Sequence, residues 1–218
     1  MNTTNHDTQN IRLHEALAAT DSSVRLKAAL VAGTAGDPGM ADVLVLRCAL
    51  EPDFFVRDML TWALTRLPVD VTIPRLLAEL SSGSSQARSQ SLHTLSKIGD
   101  RTAWPTVVTF VHDGDAEVAR SAWRASVALV PIGGEAALAA ELVRELGRGD
   151  RQMQLSLSRA LASLDDDALP VLAALESSAD PLVRAHAAAT VQLCQDPESG
   201  FDPSSELAKR ISVIGVEG

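Results

Sequence analysis

The sequence predicts an all-α solenoid of about six helical hairpins. The first observation behind this prediction is a recurring pattern: an Asp or Ser, an apolar or small residue three positions later, usually an Arg next, and then an Ala-rich helical stretch. The pattern returns every roughly 32 residues, a spacing typical of helical-pair repeats. Its first positions are Asp21, Asp53, Ser84, Asp115, Asp150 and Asp180.

Composition is the second observation. Aromatic residues make up only 3% of the chain, Tyr is absent, and Ala and Leu supply much of the apolar content. Such a composition favours closely stacked helices. A sheet would require alternating β-branched and aromatic residues, and no convincing run of that kind occurs.

The second helix of each hairpin follows the Asp-equivalent position, whose side chain is a good N-cap. Offsets three, seven and eleven from that position lie on one stripe of a helix and are expected to be buried. The offset-seven residues, mostly small, are Ala28, Leu60, Ser91, Ala122, Leu157 and Ala187. The offset-four arginines are Arg25, Arg57, Arg88 and Arg184. We expect these arginines to pair with the capping Asp of a neighbouring repeat, in a ladder interrupted at Ala119 and Gln154.

An apolar helix precedes each second helix. The predicted first helices are Ile11–Ala19, Met40–Leu50, Ile73–Leu80, Trp104–Val111, Glu135–Leu146 and Leu169–Leu175. Pro74, Pro105 and Pro170 are expected in first turns, where a missing N–H costs nothing.

Two segments carry a resemblance to a known family. The run Leu95–Asp100, which follows Ala87 and Arg88, resembles HEAT repeats of the short, phycobilin-lyase-like type, as does Asp180–Ala185. The resemblance covers about residues 10–195 and implies a right-handed α-solenoid whose second helices line a concave face. It does not specify a function, because such repeats serve adaptors, enzymes and chaperone-like factors alike.

The two ends differ from the repeats. Residues 1–9 are polar and are predicted to be a mobile N-terminal segment. Residues 10–195 form the predicted solenoid. Residues 196–218 are expected either to cap the last repeat, with a short helix over Ser204–Val213, or to act as a tail that binds a partner.

Offsets five and nine of the second helices lie opposite the buried stripe, on the predicted concave face. They indicate a cationic, partly aromatic strip in the middle of the array. Trp and Arg are enriched at binding hot spots, although a solvated surface is the alternative interpretation. Arginines bind carboxylates and phosphates in a bidentate manner. The candidate partner-binding residues are Asp58, Trp62, Arg66, His93, Lys97, Arg120, Arg124 and Arg159.

Charge and hydropathy disfavour several classes of function. A net charge of −9 disfavours broad binding to nucleic acid. The polar N-terminus is unlike a signal peptide, and no apolar run approaches the roughly 20 residues needed to cross a bilayer, so a cytoplasmic location is expected. Cys48 and Cys194 are interpreted as small buried apolar residues. The histidines are scattered, and neither a metal site nor a cofactor is predicted.

We therefore predict a non-catalytic protein-interaction module, a scaffold or adaptor, that binds a protein or acidic peptide and acts without a cofactor. The alternative is a HEAT-based enzyme or nucleic-acid-acting protein that uses the same groove. Among these, HEAT-like DNA glycosylases place Asp, Trp and Arg in the groove, a set that Asp58, Trp62, Trp123 and Arg124 superficially match. A HEAT-repeat iron hydroxylase uses several His-Glu pairs, whereas this chain has one, His14-Glu15. The sequence leaves the oligomeric state open.

Overall fold

The computed structural model describes residues 3–197 and 201–203. Within those ranges the chain contains helices, 3-10 turns and loops, and no strand. The predicted all-α fold is therefore confirmed. The α-helices are α1 (Thr3–Leu17), α2 (Ser22–Ala35), α3 (Ala41–Leu50), α4 (Phe54–Thr65), α5 (Val69–Glu79), α6 (Ser85–Ile98), α7 (Trp104–Val107), α8 (Ala116–Leu129), α9 (Glu135–Leu142), α10 (Arg151–Ala162), α11 (Leu169–Ala174) and α12 (Pro181–Gln195).

The second helices begin where the sequence predicts. Asp21, Asp53, Ser84, Asp115, Asp150 and Asp180 are the N-caps of α2, α4, α6, α8, α10 and α12, and each side chain accepts a backbone N–H of the first turn. These bonds satisfy donors that have no partner inside the helix.

The first helices are less regular than the second helices. α7, α9 and α11 are short and continue as 3-10 turns, over Val108–Phe110, Val143–Glu145 and Leu175–Ser177. α5 begins earlier than predicted, at Val69, so that Pro74 lies inside the helix instead of in its first turn. α1 also begins early, at Thr3, because a helix anchored by buried Leu13 and Leu17 propagates at little cost into the polar residues that precede it.

The chain divides into two compact units, residues 1–106 and 107–218. Each unit is a stack of helical pairs with a core of its own. Unit 1 buries Leu60, Leu64, Leu92 and Leu95, and unit 2 buries Trp123, Leu129, Leu142 and Leu161. The offset-seven residues are buried in both units, as the stripe predicts, whereas the prediction is wrong for Val24 at offset three of the first repeat, which is 39% exposed. The expected helix over Ser204–Val213 lies outside the described residues.

The offset-four arginines do not form the predicted ladder with the capping aspartates. Each one instead reaches back to carbonyls just before its own helix. Arg25 Nη1 donates to Ala19 O at 2.9 Å and to Thr20 O at 2.8 Å. Arg57 binds the carbonyls of Glu51 and Pro52, Arg88 binds Ser82 O, and Arg184 binds Ser178 O. The arginine therefore clamps the turn that joins the two helices of its own repeat, because those carbonyls have no helical partner.

The two repeats without this arginine have substitutes. Repeat five has Gln154 at offset four, and its Nε2 donates to Gly149 O at 3.2 Å. Repeat four has Ala119 there, and Arg148 of the following repeat supplies the contact from outside. Its Nη2 donates to Asp113 O at 2.7 Å and to Gly114 O at 3.1 Å.

Glu51 adds a buried ion-pair network in unit 1. Its carboxylate accepts two hydrogen bonds from Arg25, at 2.7 Å and 2.6 Å, and one from Arg47 at 2.7 Å. Despite the cost of burial, these bonds lower the pKa of Glu51 to about 2. The network ties the first helical pair to the second.

Candidate functional site

The predicted strip has members in both units, and five of them belong to unit 1. Asp58 and Trp62 lie one turn apart on α4, and Arg66 is the C-cap residue that follows this helix. His93 and Lys97 lie one turn apart on α6. The side chains of Asp58, Arg66 and Lys97 are exposed, whereas His93 is half-buried.

Trp62 is the aromatic member of the strip, and 38% of its surface is exposed. One side of the indole lies on Gly33 of α2, so closely that a Cβ at residue 33 would come within 2.4 Å of Trp62 Cζ3. Leu30, at the matching offset of α2, is 46% exposed. The glycine thus seats the indole on the preceding helix and leaves its other side and Leu30 open to a ligand.

Unit 2 brings the other three predicted residues together. Arg120 and Arg124 on α8 and Arg159 on α10 line one cleft of about 390 Å³. They face the same space because offsets five and nine place them on the exposed sides of two second helices. Further lining residues are Val127, Gln152, Leu155, Ser156, Ala160 and Ser163.

The charges of this arginine cleft are only partly balanced. Arg120 forms an ion pair with Glu117, one turn before it on α8. Among the described residues, no carboxylate lies within ion-pair distance of Arg124 or Arg159. Partial desolvation and the adjacent charge of Arg120 lower the pKa of Arg124 from its ordinary value, which is a sign of an electrostatically unfavourable position. An anion in the cleft would relieve it.

The polar lining of the cleft was not among the predicted site residues. Gln152, Ser156 and Ser163 lie at offsets two, six and thirteen of α10, on the same side of the helix as Arg159. The amide of Gln152 and the hydroxyl of Ser156 add donors beside the guanidinium groups, whereas the Ser163 hydroxyl donates to Arg159 O at 2.8 Å. A helical wheel of α10 alone places them beside Arg159. A comparison of all six repeats does not single them out, because the other repeats have different residues at those offsets.

At the end of the array the offset rule is wrong. Ala185 and Ala189 of α12 occupy offsets five and nine, yet both are 3% exposed. They cannot contribute to a binding surface.

Trp123 does not belong to a binding surface either. It is fully buried in unit 2, and its Nε1 donates to Val111 O at 2.8 Å. A base can stack only on an exposed ring. Trp123 is therefore not available in a groove, and the superficial match to HEAT-like glycosylases retains only Trp62 of its two tryptophans.

Two histidines of unit 2 have partners on neighbouring elements. His112 lies between two carboxylates, with Nδ1 2.6 Å from Glu145 and Nε2 2.9 Å from Glu141. Although burial opposes it, these contacts raise the pKa of His112. His186 is fully buried and accepts the Gly147 N–H at Nδ1 (2.9 Å), which places the ring proton on Nε2. Burial lowers the pKa of His186 to about 4.

The described residues contain no group of three or more His, Cys, Asp or Glu side chains arranged to hold a metal ion. Across the same part of the chain, no helix has the length and apolar character required to cross a membrane.

Comparison with known proteins gives structural likeness only. No protein-family model matches the chain, and no curated protein sequence matches it. The crystal structure of an engineered protein is similar, with 22% identity and a TM-score of 0.48, over 84% of this chain and 95% of that chain. A second engineered protein has 20% identity and a TM-score of 0.44, over 91% of this chain and 60% of that chain.

A designed armadillo repeat protein in complex with the peptide (KR)4 is also similar, with 16% identity and a TM-score of 0.46, over 83% of this chain and 97% of that chain. A side-chain cap starts each of the six second helices. In every repeat a side chain also binds a carbonyl of the preceding turn, from the offset-four arginine in four repeats, from Gln154 in repeat five and from Arg148 in repeat four. The chain is a helical repeat protein. In this helical repeat protein the candidate binding residues lie on the exposed sides of the second helices. The N-caps and the buried stripe stabilise the helices and their packing.

Proposed function

We propose that this helical repeat protein is a non-catalytic interaction module that binds an acidic segment of a partner protein. The observation that carries the proposal is the arginine cleft of unit 2, where Arg124 and Arg159 face one space without a carboxylate partner among the described residues. Guanidinium groups bind carboxylates through paired, charge-assisted hydrogen bonds.

Unit 1 offers a second contact surface of a different character. The half-exposed indole of Trp62 and the exposed Leu30 suit an apolar side chain of the partner. Arg66 and Lys97 supply positive charge near it. The proposed partner therefore carries both acidic and apolar residues.

A glutamate-rich peptide with a fluorescent label tests the proposal, with a lysine-rich peptide of equal length as the negative control. We expect the acidic peptide to bind and the affinity to fall as salt rises, because the attraction is partly screened. Arg124→Glu and Arg159→Glu should each weaken binding by on the order of tenfold or more. Arg101→Glu makes the same charge change at an exposed arginine outside the cleft and serves as the matched control.

Trp62→Ala tests the contribution of unit 1, with glutamate-rich peptides that either contain or lack leucine. The variant should weaken binding of the leucine-containing peptide and leave the leucine-free one unchanged. Equal binding of the acidic peptide by wild type, Arg124→Glu and Arg159→Glu would refute the proposed site.

A further inference from the structure

The arginine cleft has an excess of charge that a single carboxylate does not balance. Three arginines line it, and Glu117 neutralises one of them through its ion pair with Arg120. The other two, Arg124 and Arg159, bring about two uncompensated positive charges to one cavity. A carboxylate carries one negative charge, whereas a phosphomonoester carries about −1.5 to −2 at neutral pH.

The donors around the cleft also exceed what a carboxylate can accept. Arg124 and Arg159 each present several N–H groups, and Gln152 and Ser156 add an amide and a hydroxyl. A carboxylate has two oxygens, whereas a phosphomonoester has three terminal oxygens that accept strong hydrogen bonds.

The remaining lining fits a short carbon stem. Val127, Leu155 and Ala160 contribute apolar surface beside the polar groups. At about 390 Å³ the cleft is larger than a bare phosphate needs, so it has space for the side chain and backbone to which the phosphate is attached.

We infer that the arginine cleft recognises a phosphorylated serine or threonine in a peptide segment of the partner. This inference rests on the proposed function, since it names the acidic group that the peptide would bring to the cleft. The protein would then bind its partner according to the partner's phosphorylation state, because adding the phosphate creates the charge that Arg124 and Arg159 lack.

The test uses labelled short peptides that differ at one central position, which is serine, glutamate or phosphoserine. We expect the phosphoserine peptide to bind on the order of tenfold or more tightly than the glutamate peptide, and the serine peptide to bind least. Arg124→Glu and Arg159→Glu should remove the preference for phosphoserine, and Arg101→Glu should retain it. Circular dichroism of each variant verifies that the helices are intact.

Acidity provides a second readout. The phosphate loses its second charge near pH 6, so the advantage of the phosphoserine peptide should shrink between about pH 7.5 and about pH 5. The charged residues that line the cleft are Arg120 and Arg124 from α8 and Arg159 from α10, and Glu117 pairs with Arg120. The glutamate peptide, measured over the same range, separates titration of the phosphate from a change in the protein.

Separate arms identify the source of the phosphate. If inorganic phosphate or free phosphoserine competes as well as the phosphopeptide at equal concentration, the cleft is a site for a small free anion and the peptide inference is wrong. If an oligonucleotide without a terminal phosphate competes best, the ligand is a phosphodiester and the inference is also wrong. If glutamate and phosphoserine peptides bind equally, and both depend on Arg124, the inference fails while the proposed function stands. If no acidic peptide binds, both fail.

Discussion

Arg148 donates from Nη2 to the main-chain oxygen of Asp113 at 2.7 Å. Asp113 lies six residues before Ala119, the offset-four residue of its repeat. In the first repeat, the carbonyl six residues before offset four is that of Ala19, and Arg25 binds it. Repeat four has Ala119 at offset four, so the arginine of the following repeat makes a contact that the other arginines make within their own repeat. The unpaired carbonyls before a second helix can thus receive their hydrogen bond from an arginine at either of two positions in the chain.

Replacing Arg148 by Ala should destabilise unit 2 by about 1.5–3 kcal/mol, the usual range for hydrogen bonds that involve a charged group. Urea denaturation followed through the fluorescence of buried Trp123 measures the change. Arg144→Ala is the control, since that side chain is 65% exposed and pairs only with Glu141 among the described residues. Equal losses in the two variants would contradict a specific role for Arg148.

Glu51→Gln should cost about 3 kcal/mol or more, because it leaves the buried Arg25 without its carboxylate. The folded-state pKa of Glu51 is about 2, below its ordinary value of 4.5. The carboxylate therefore contributes stability above about pH 4.5 that is lost progressively as the pH falls toward 2. Unfolding free energies measured by urea across this range should fall less steeply in Glu51→Gln than in wild type.

The control for that titration is Glu15→Gln, at an exposed position of α1. It makes the same side-chain change away from the Arg25–Glu51–Arg47 network. A Glu51→Gln variant with the wild-type slope would show that the network does not act through this carboxylate.

The burial of His186 predicts a second pH range in which acid lowers the stability of the protein. Burial lowers its pKa from 6.5 to about 4, so the unfolded chain takes up a proton at higher pH than the folded chain. The neutral ring stabilises the fold above about pH 6.5, and this contribution of about 3 kcal/mol is lost as the pH falls toward 4. His186→Gln should flatten the dependence, and NMR titration of the imidazole should give the low pKa directly.

His14→Gln changes an exposed histidine of unit 1 and is the matched control. His112→Gln should remove a contribution to stability that has the opposite pH dependence. The pKa of His112 is raised, so its contribution is present below about pH 6.5 and lost as the pH rises through the higher folded-state pKa. An imidazole of His186 that titrates near 6.5 in the folded protein would refute the burial argument.

Gly33→Ala should displace the indole of Trp62. A Cβ at this position would lie 2.4 Å from Trp62 Cζ3 and 2.8 Å from Ala63 Cα, and the second contact is with backbone. We expect a loss of about 1–3 kcal/mol, partly offset by the better helix propensity of Ala, together with a shift in tryptophan emission. Gly83→Ala is the matched control, since a Cβ there meets nothing within 4 Å, and its emission should not change. Unchanged stability and emission in Gly33→Ala would contradict the close contact.

The sequence by itself determined the all-α class, the six capped second helices and the buried stripe, except at the exposed Val24. These depend on local features: an Asp or Ser that accepts a first-turn N–H, and apolar residues at helical spacing. It also placed Arg120, Arg124 and Arg159 on the exposed sides of their helices by the same periodicity.

Only the tertiary structure decided which groups those side chains meet. It brought Arg148 to the carbonyls of Asp113 and Gly114, seated Trp62 on Gly33, and enclosed Trp123 entirely. It also collected Gln152 and Ser156 beside Arg159 in one cleft. The physical reason is that helical periodicity fixes the direction of a side chain around its own axis, whereas its partners depend on how closely the neighbouring helices approach and where their backbone groups are left unpaired.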